Sequence, residues 1–488
     1  MNQVDKTSWK YILSVFQEIW GYDDFRKPQG EIVHNLLMGK DALIIMPTGG
    51  GKSICFQLPA LLKTGLTIVI SPLVALMENQ VKELQEKKLS AALLHNELSS
   101  LEKRKTLVKV AEQKLRLLYL SPETLLSPPV WKTISEPELK INALILDEAH
   151  CLVQWGDTFR PAYRRLGAVR KALLTSKAPA EKISIAAFTA TADREAQKII
   201  KETLELRQPE IYRLNPYRSN LSPKVCIAWT PKGRKQKLLN FVREKLPNPG
   251  LVYVRTRRDS ENIATWLEKK GYPTTSYHAG LHAEERRRIE SKWLDGEIPF
   301  VVCTSAFGMG INKSNVRWVI HFHPPSLLSE YVQEIGRAGR DGLPSEALML
   351  VSEPTGWLDP EDKQRQNFFT NRARSQLLRA EELIKKLPPT GNVAAVSEKF
   401  HDSAIALSLL HSMGKLEWLD PFQYHIKREN NTQKSDTSSP FKNQTRAARQ
   451  MNKYITTKAC RWQFLLDSFG FTQDAKNWNC GHCDNCKI

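Results

Sequence analysis

The run Met46-Pro47-Thr48-Gly49-Gly50-Gly51-Lys52-Ser53 constrains this chain more than any other feature. It follows an apolar segment, Ala42-Leu43-Ile44-Ile45, that reads as a buried parallel strand. It precedes Ile54-Cys55-Phe56-Gln57-Leu58, which reads as the start of a helix. A strand, a glycine-rich loop and a helix N-terminus, in that order, build a phosphate cradle. Glycines let backbone N–H groups turn inward and come close to phosphate oxygens. In such a loop Thr48, Gly49, Gly50 and Gly51 line the phosphates, Lys52 reaches the β- and γ-phosphates, and the Ser53 hydroxyl holds Mg²⁺. A cradle of this kind sits on a parallel sheet, so the expected fold class is α/β.

The rest of the chain agrees. Apolar runs at Leu66-Thr67-Ile68-Val69-Ile70, Leu117-Leu118-Tyr119-Leu120, Ala143-Leu144-Ile145-Leu146 and Ile183-Ser184-Ile185-Ala186-Ala187-Phe188 alternate with helix-like segments. Continuous apolar strands mark a sheet covered on both faces. A polar stretch, Asn215-Pro216-Tyr217-Arg218-Ser219-Asn220, reads as a linker. A second series follows, with strands at Gly250-Leu251-Val252-Tyr253-Val254 and Phe300-Val301-Val302-Cys303. Beyond residue 361 the character is helical: 364–387 ends at Pro388-Pro389, 429–439 is rich in Asn, Ser and Thr and reads as disordered, and 446–469 is helical again. The expected division is a first lobe over 1–207, a second over 208–350, a mainly helical domain from 351–388 and 441–488, and an inserted segment, 389–440.

Charge narrows the partners. Lys+Arg 71 against Asp+Glu 52 gives a net charge of +19, which suits a polyanion. The first twenty residues carry Asp5 and Glu18 and no signal-like apolar core. No stretch approaches the ~18 apolar residues of a membrane span. A cytoplasmic protein without a membrane partner is expected, nucleoid-associated if the source is bacterial. Its eight cysteines are then not a disulfide framework.

Two further runs carry chemistry. Asp147-Glu148-Ala149-His150 follows the apolar run ending at Leu146. Carboxylates at the C-terminal end of a parallel strand face the ligand crevice. Asp147 is placed to complete a Mg²⁺ shell and Glu148 to take a proton from an attacking water. In Gln333-Glu334-Ile335-Gly336-Arg337-Ala338-Gly339-Arg340-Asp341-Gly342, phosphoryl transfer gains the positive charge it needs in the transition state. Arg340 is the candidate arginine finger, with Arg337 beside it. Near the C-terminus, Cys460, Cys480, Cys483 and Cys486 supply four thiolates. Such a set closes a tetrahedral shell on Zn²⁺ with no open position, a structural site; an iron–sulfur cluster is the competitor. Cys55, Cys151, Cys226 and Cys303 read as small core residues.

Taken in order, these motifs resemble those of the RecQ family of superfamily-two DNA helicases. The resemblance runs from about residue 16 to 350 and resumes at the cysteines. Met46, where the strict phosphate-loop pattern has Gly, is the usual helicase form. Gly21-Tyr22-Asp23-Asp24-Phe25-Arg26-Lys27-Pro28-Gln29 resembles the adenine-reading motif, implying that Gln29 bonds the base edge while Tyr22 and Arg26 stack on it. Ser71-Pro72-Leu73-Val74-Ala75-Leu76-Met77 resembles a DNA-backbone motif, with Asn79 where Asp is common. Phe188-Thr189-Ala190-Thr191-Ala192, Tyr277-His278-Ala279-Gly280-Leu281 and Ala306-Phe307-Gly308-Met309-Gly310-Ile311-Asn312-Lys313 resemble further helicase motifs. Gln154-Trp155-Gly156-Asp157-Thr158-Phe159-Arg160-Pro161 resembles the family's aromatic-rich loop, which senses single-stranded DNA. Trp155 and Phe159 offer faces for bases and Arg160 offers charge. Asp157 and Thr158 depart from the family's usual His and Asp, which bears on the strength of coupling.

The resemblance implies two RecA-like parallel-sheet lobes in tandem, a zinc-binding domain, ATP, Mg²⁺ and Zn²⁺, and 3′-to-5′ unwinding of DNA in repair and recombination. Single-stranded and duplex DNA are the expected partners and a monomer the expected state. An RNA helicase, or a DNA-binding or annealing scaffold that uses ATP to set its conformation, are the other readings. Within 389–440, helices over Asn392–Phe400 and Asp402–Met413, followed by Lys415–Leu419 and Phe422–Ile426, suggest a winged-helix module. The chain stops two residues after Cys486, where the family usually continues into a winged-helix domain, so the insert is expected to take over duplex binding.

Overall fold

The apolar runs of the first lobe assemble into one sheet. Its strands are β1 (Ala42–Ile45), β2 (Leu66–Ile70), β3 (Ala91–Leu94), β4 (Leu117–Leu120), β5 (Ile141–Leu146), β6 (Ser184–Thr189) and β7 (Glu210–Arg213), all parallel, in the order β3-β4-β2-β5-β6-β1-β7. β1, β2, β4, β5 and β6 are buried along their whole length, because helices cover both faces. The computed structural model describes residues 8–47, 49–154, 160–179, 181–308, 313–427 and 440–487. These fall into two compact units, Met1–Leu214 with Ser375–Pro440, and Asn215–Arg374 with Phe441–Ile488.

β7 moves one boundary. It pairs with β1, so the first sheet runs to residue 213, past the expected end at 207. Its sequence, Glu-Ile-Tyr-Arg, lies mostly exposed at the sheet edge and carries no apolar run to betray it.

The second unit holds β8 (Leu221–Ala228), β9 (Gly250–Tyr253), β10 (Ser276–Tyr277), β11 (Phe300–Cys303), β12 (Trp318–His321) and β13 (Ser345–Ser352), again parallel, ordered β10-β11-β9-β12-β13-β8. Trp318 is fully buried and lies over Gly250, where a Cβ would stand 2.0 Å from the indole. Arg234, 0% exposed, ties the helix Pro231–Lys245 to the start of the helix Glu361–Ile384. Its guanidinium donates to Asp359 Oδ2 at 2.9 Å, Asp362 Oδ2 at 3.0 Å, Ser352 Oγ at 2.7 Å and the Phe322 carbonyl at 2.8 Å.

The inserted segment folds into helices and a small sheet. A short strand β14 (Thr390–Asn392), too short to be seen in the sequence, precedes helices Val393–Lys399 and Ser403–Ser412 and the hairpin β15 (Leu416–Trp418) and β16 (Gln423–Ile426). The three strands are antiparallel in the order β14-β16-β15. Ala380 and Leu383, from the end of the helix Glu361–Ile384, complete its core with Leu407, Leu410, Leu416 and Tyr424. Helix, strand, two helices and a hairpin is the winged-helix order. The module belongs to the first unit. Residues 429–439, read as disordered from composition, lie outside the described residues.

The helix expected across 446–469 is two helices, Pro440–Thr456 and Arg461–Ser468. The Arg461 guanidinium takes the carbonyls of Tyr454 at 2.5 Å and Ile455 at 3.3 Å, and Asn485 Nδ2 takes those of Thr457 and Ala459 at 2.8 and 2.7 Å. Side chains thus satisfy carbonyls that a continuing helix would have paired.

Arg234→Ala leaves two carboxylates beneath the surface without their cation. It is expected to cost about 3–5 kcal/mol of stability, read from denaturant unfolding of the full chain. An unchanged midpoint would show the network to be dispensable.

Candidate functional site

The order of strands in the first unit creates the site. β1 and β5 flank β6, and the chain leaves the C-terminal ends of both into functional loops. After β1 it turns through Gly49 (φ +82°) and Gly51 (φ +76°), conformations that need glycine, and enters the helix Lys52–Leu62. Thr48 lies outside the described residues. Lys52 Nζ is buried and has no hydrogen-bond partner among the described residues. A buried ammonium without a partner is costly, and a phosphate is the group this loop is shaped to add.

After β5 come Asp147, 4% exposed, and Glu148, 8% exposed. Burial, with the charge of Glu148 beside it, pushes Asp147 up to about 6, while the nearby Lys52 ammonium pulls it down. Glu148 has φ +52°, a left-handed conformation that costs a non-glycine residue roughly 1–2 kcal/mol. Strain of this sort collects at working sites. His150 Nδ1 lies 3.1 Å from Glu148 Oε2 and 3.4 Å from Thr189 Oγ1. His150 thus joins the acidic pair to the Thr189-Ala190-Thr191 motif, whose Thr189 hydroxyl donates to the Thr191 carbonyl.

Gln29 is buried and reaches the phosphate loop. Its Nε2 donates to the Gly50 carbonyl at 3.1 Å and its Oε1 accepts from Arg26 N at 3.0 Å. Tyr22 and Arg26 are exposed beside it. Gln29 Nε2 stands where a Cβ on Gly51 would be, 2.2 Å away, so this glycine is also required by the close approach of the amide.

Among the DNA candidates, Ser71 is buried and its Oγ is without a hydrogen-bond partner among the described residues. Arg160 donates to the Pro72 carbonyl at 2.5 Å and to Glu123 at 2.7 Å, so it braces the backbone motif of Ser71-Pro72. Trp155 and Phe159 lie outside the described residues, as do Met309–Asn312.

In the second unit, Arg337 is buried and its Nη1 donates to the Gly308 carbonyl; a Cβ on Gly308 would meet that guanidinium at 2.8 Å. Arg340 is half-buried three residues on. The loop carrying both is held from behind. Arg218 Nη2 donates to the Ala338 carbonyl at 3.2 Å, and Asn220 Nδ2 donates to the carbonyls of Gly339 and Leu343, both at 2.8 Å. Sequence reasoning missed Arg218 and Asn220, taking their polar stretch for a linker. Burial pushes the Cys55 thiol up to about 12, in keeping with a core residue.

The sulfur atoms of Cys460, Cys480, Cys483 and Cys486 all lie within 4.8 Å of one another. Neighbouring pairs stand 3.4, 3.9 and 4.0 Å apart. A tetrahedron with Zn–S bonds of about 2.3 Å has edges of about 3.8 Å, so the thiolates fit Zn²⁺. Backbone N–H groups of Arg461, Cys480, His482 and Cys483 point at the sulfurs at 3.3–3.4 Å. His482 is no ligand: its nitrogens face Tyr217 at 3.2 Å and Ser222 at 3.4 Å.

Family models match the DEAD/DEAH box helicase domain over residues 26–199, the helicase conserved C-terminal domain over 233–342, and the RecQ zinc-binding domain over 423–487. The chain is 50% identical to the ATP-dependent DNA helicase RecQ of Synechocystis, covering 97% of each chain. The chain belongs to the RecQ family. Like its relatives it is an ATP-dependent DNA helicase, with a zinc-binding domain. Another relative, RecQ of Pasteurella multocida, is 40% identical over 72% of this chain but is covered over only 55% of its own length. Among solved structures, yeast Dbp5 bound to RNA and ADP BeF3 (TM-score 0.58, 16% identity, 72% of this chain and 90% of that one) shares the fold. So does the DUF1998 helicase MrfA bound to DNA (TM-score 0.58, 18% identity, 88% and 60%). The two parallel sheets are thus the RecA-like lobes of the family. No helix among the described residues is long and apolar enough to cross a membrane.

Purified protein is expected to carry one zinc ion per chain by atomic absorption, and Cys483→Ser to lose it together with thermal stability. A full zinc content in Cys483→Ser would place the metal elsewhere.

Proposed function

We propose that this RecQ-type enzyme moves 3′ to 5′ along single-stranded DNA and separates duplexes as a monomer, in repair and recombination. The observation that carries the reading is the buried Lys52 Nζ, unpartnered among the described residues, beside the paired carboxylates Asp147 and Glu148 at the ends of β1 and β5.

In this reading Tyr22, Arg26 and Gln29 take the adenine, and the turn through Gly49, Gly50 and Gly51 takes the phosphates. Lys52 neutralises charge on the β- and γ-phosphates. Ser53 and Asp147 would hold Mg²⁺, which would supply positive charge to offset that of the phosphates. Glu148 orients the attacking water and takes its proton. Its strained backbone and its contact with His150 fix that carboxylate against the Thr189 motif, so a change at the nucleotide has a route to the DNA-contacting segments. Arg340, positioned by Arg218 and Asn220 behind its loop, supplies charge to the γ-phosphate. Arg337, seated on Gly308, orients that loop. Trp155 and Phe159 stack on bases and report bound DNA to the acidic pair a few residues upstream in the chain.

Strand displacement on a 3′-tailed DNA duplex tests the proposal, with a 5′-tailed duplex and a 3′-tailed RNA duplex alongside. Unwinding of the 3′-tailed DNA alone, lost in Lys52→Ala, is the expected result. ATP hydrolysis without displacement would favour a scaffold, and preference for RNA would overturn the DNA reading. Glu148→Gln is expected to lower hydrolysis by on the order of a hundredfold while nucleotide still binds. Equal loss of binding would move Glu148 from catalysis to the cradle.

A further inference from the structure

The inserted module was expected to grip duplex DNA, and its sequence and packing speak against that. In a helix-turn-helix the second helix enters the groove, and phosphate contacts come from Lys and Arg. Here that helix is Ser403–Ser412, Ser-Ala-Ile-Ala-Leu-Ser-Leu-Leu-His-Ser, without a single Lys or Arg. Of its ten residues Ala404 alone is exposed. One side faces the module's own core. Another packs against the 3-10 turn Pro161–Arg165, which begins directly after the aromatic-rich loop and Arg160.

The hairpin tip makes the same choice of neighbour. The Phe422 ring meets the Trp131 ring edge-on, centroids 5.1 Å apart, and joins the core beneath the first sheet. Arg165 Nη1 donates to the Pro421 carbonyl at 3.2 Å. Burial pushes the Arg165 guanidinium down to about 10, so it stays charged at neutral pH and needs an acceptor. Arg164, 6% exposed, is fixed from the lobe side by Thr203 Oγ1 at 3.1 Å. Arg160, at the head of the same turn, holds the Pro72 carbonyl of the DNA-backbone motif.

We propose that the module is an internal brace that positions the turn Pro161–Arg165, and through Arg160 the DNA-responsive segments of the first lobe, so that bound single-stranded DNA is registered by the ATP site. Phe422, Pro421 and Arg165 are positioning residues; none touches nucleotide. This rests on the reading of the aromatic-rich loop as the DNA sensor.

The test compares DNA-free ATP hydrolysis, hydrolysis as a function of oligo-dT concentration, duplex affinity and melting temperature in the full-length parent, Phe422→Ala, Phe422→Leu and Trp155→Ala. Phe422→Ala is expected to keep the DNA-free rate and duplex affinity and to raise the oligo-dT concentration for half-maximal stimulation roughly three- to thirtyfold. Phe422→Leu, which keeps an apolar tip, is expected to restore most of it. Parallel loss of the DNA-free rate and of folding in both Phe422 variants would reduce the contact to a structural one and overturn the proposal. So would unchanged stimulation in Phe422→Ala when Trp155→Ala has lost it, or a selective fall in duplex affinity, which would return the module to duplex binding. Unchanged stimulation in Trp155→Ala would instead overturn the sensor reading itself, and the brace with it.

Discussion

The Lys52 ammonium, its Nζ buried and without a hydrogen-bond partner among the described residues, is the constraint on which the phosphate site of the first lobe turns. Such a group is tolerated only where opposite charge is near and a ligand completes the set. The parallel sheet meets both conditions. Because β1 and β5 point the same way and are separated by one strand, their C-terminal ends place Lys52 and the buried Asp147 in one field. Burial first, and then the charge of Glu148 beside it, push Asp147 upward. The sheet therefore does more than support the loop: it brings an ammonium and a buried carboxyl group to the place where the loop is shaped to take a phosphate.

How far the molecule could be read in advance followed burial. Strands covered on both faces announced themselves as apolar runs, and the glycines at 49 and 51 marked a turn that only glycine can make. The four cysteines stood out because thiolates at short spacing in a chain of this kind have few other uses. Edge strands were harder. β7 is mostly exposed and β8 half so, and an exposed edge needs no apolar pattern. β14 is three residues long and exists because β16 is there to pair with it. The break in the helix beyond residue 456 was invisible for a related reason. It is imposed by Arg461 and Asn485, groups brought back by the folding of the cysteine segment, and local propensity does not contain that information.

Positioning residues were the least legible part of the site. Arg218 and Asn220 read as linker because Asn, Pro and Ser surround them, yet both are spent on carbonyls of the loop that carries Arg337 and Arg340. Their importance lies in which carbonyls they reach, a property of the tertiary fold. The zinc segment works in the same manner. Asp484 accepts from Val225 N at 2.9 Å and pairs with Arg461 at 2.9 and 3.0 Å, and Trp462 Nε1 donates to the Leu221 carbonyl at 2.9 Å. Metal closure thus fixes Asp484 and Arg461 along β8, and the second sheet gains an ordered neighbour at its otherwise open edge.

The winged-helix module shows why a fold does not carry its function with it. Its topology was legible from a helix pair and an alternating hairpin. Its use was not, because that depends on what lies against the second helix. A groove-reading helix must keep one face wet and cationic until DNA arrives. The helix Ser403–Ser412 has an apolar residue or serine at nearly every position, and Ala404 alone among them is exposed. Its only titratable side chain, His411, is pushed down to about 3 by burial and by Arg164 and Lys427 nearby, so it brings no positive charge at physiological pH. The same features suit the helix as packing. A neutral, compact surface can lie flush against Pro161–Arg165 without leaving a charge uncompensated, which a basic reading helix in that place would do.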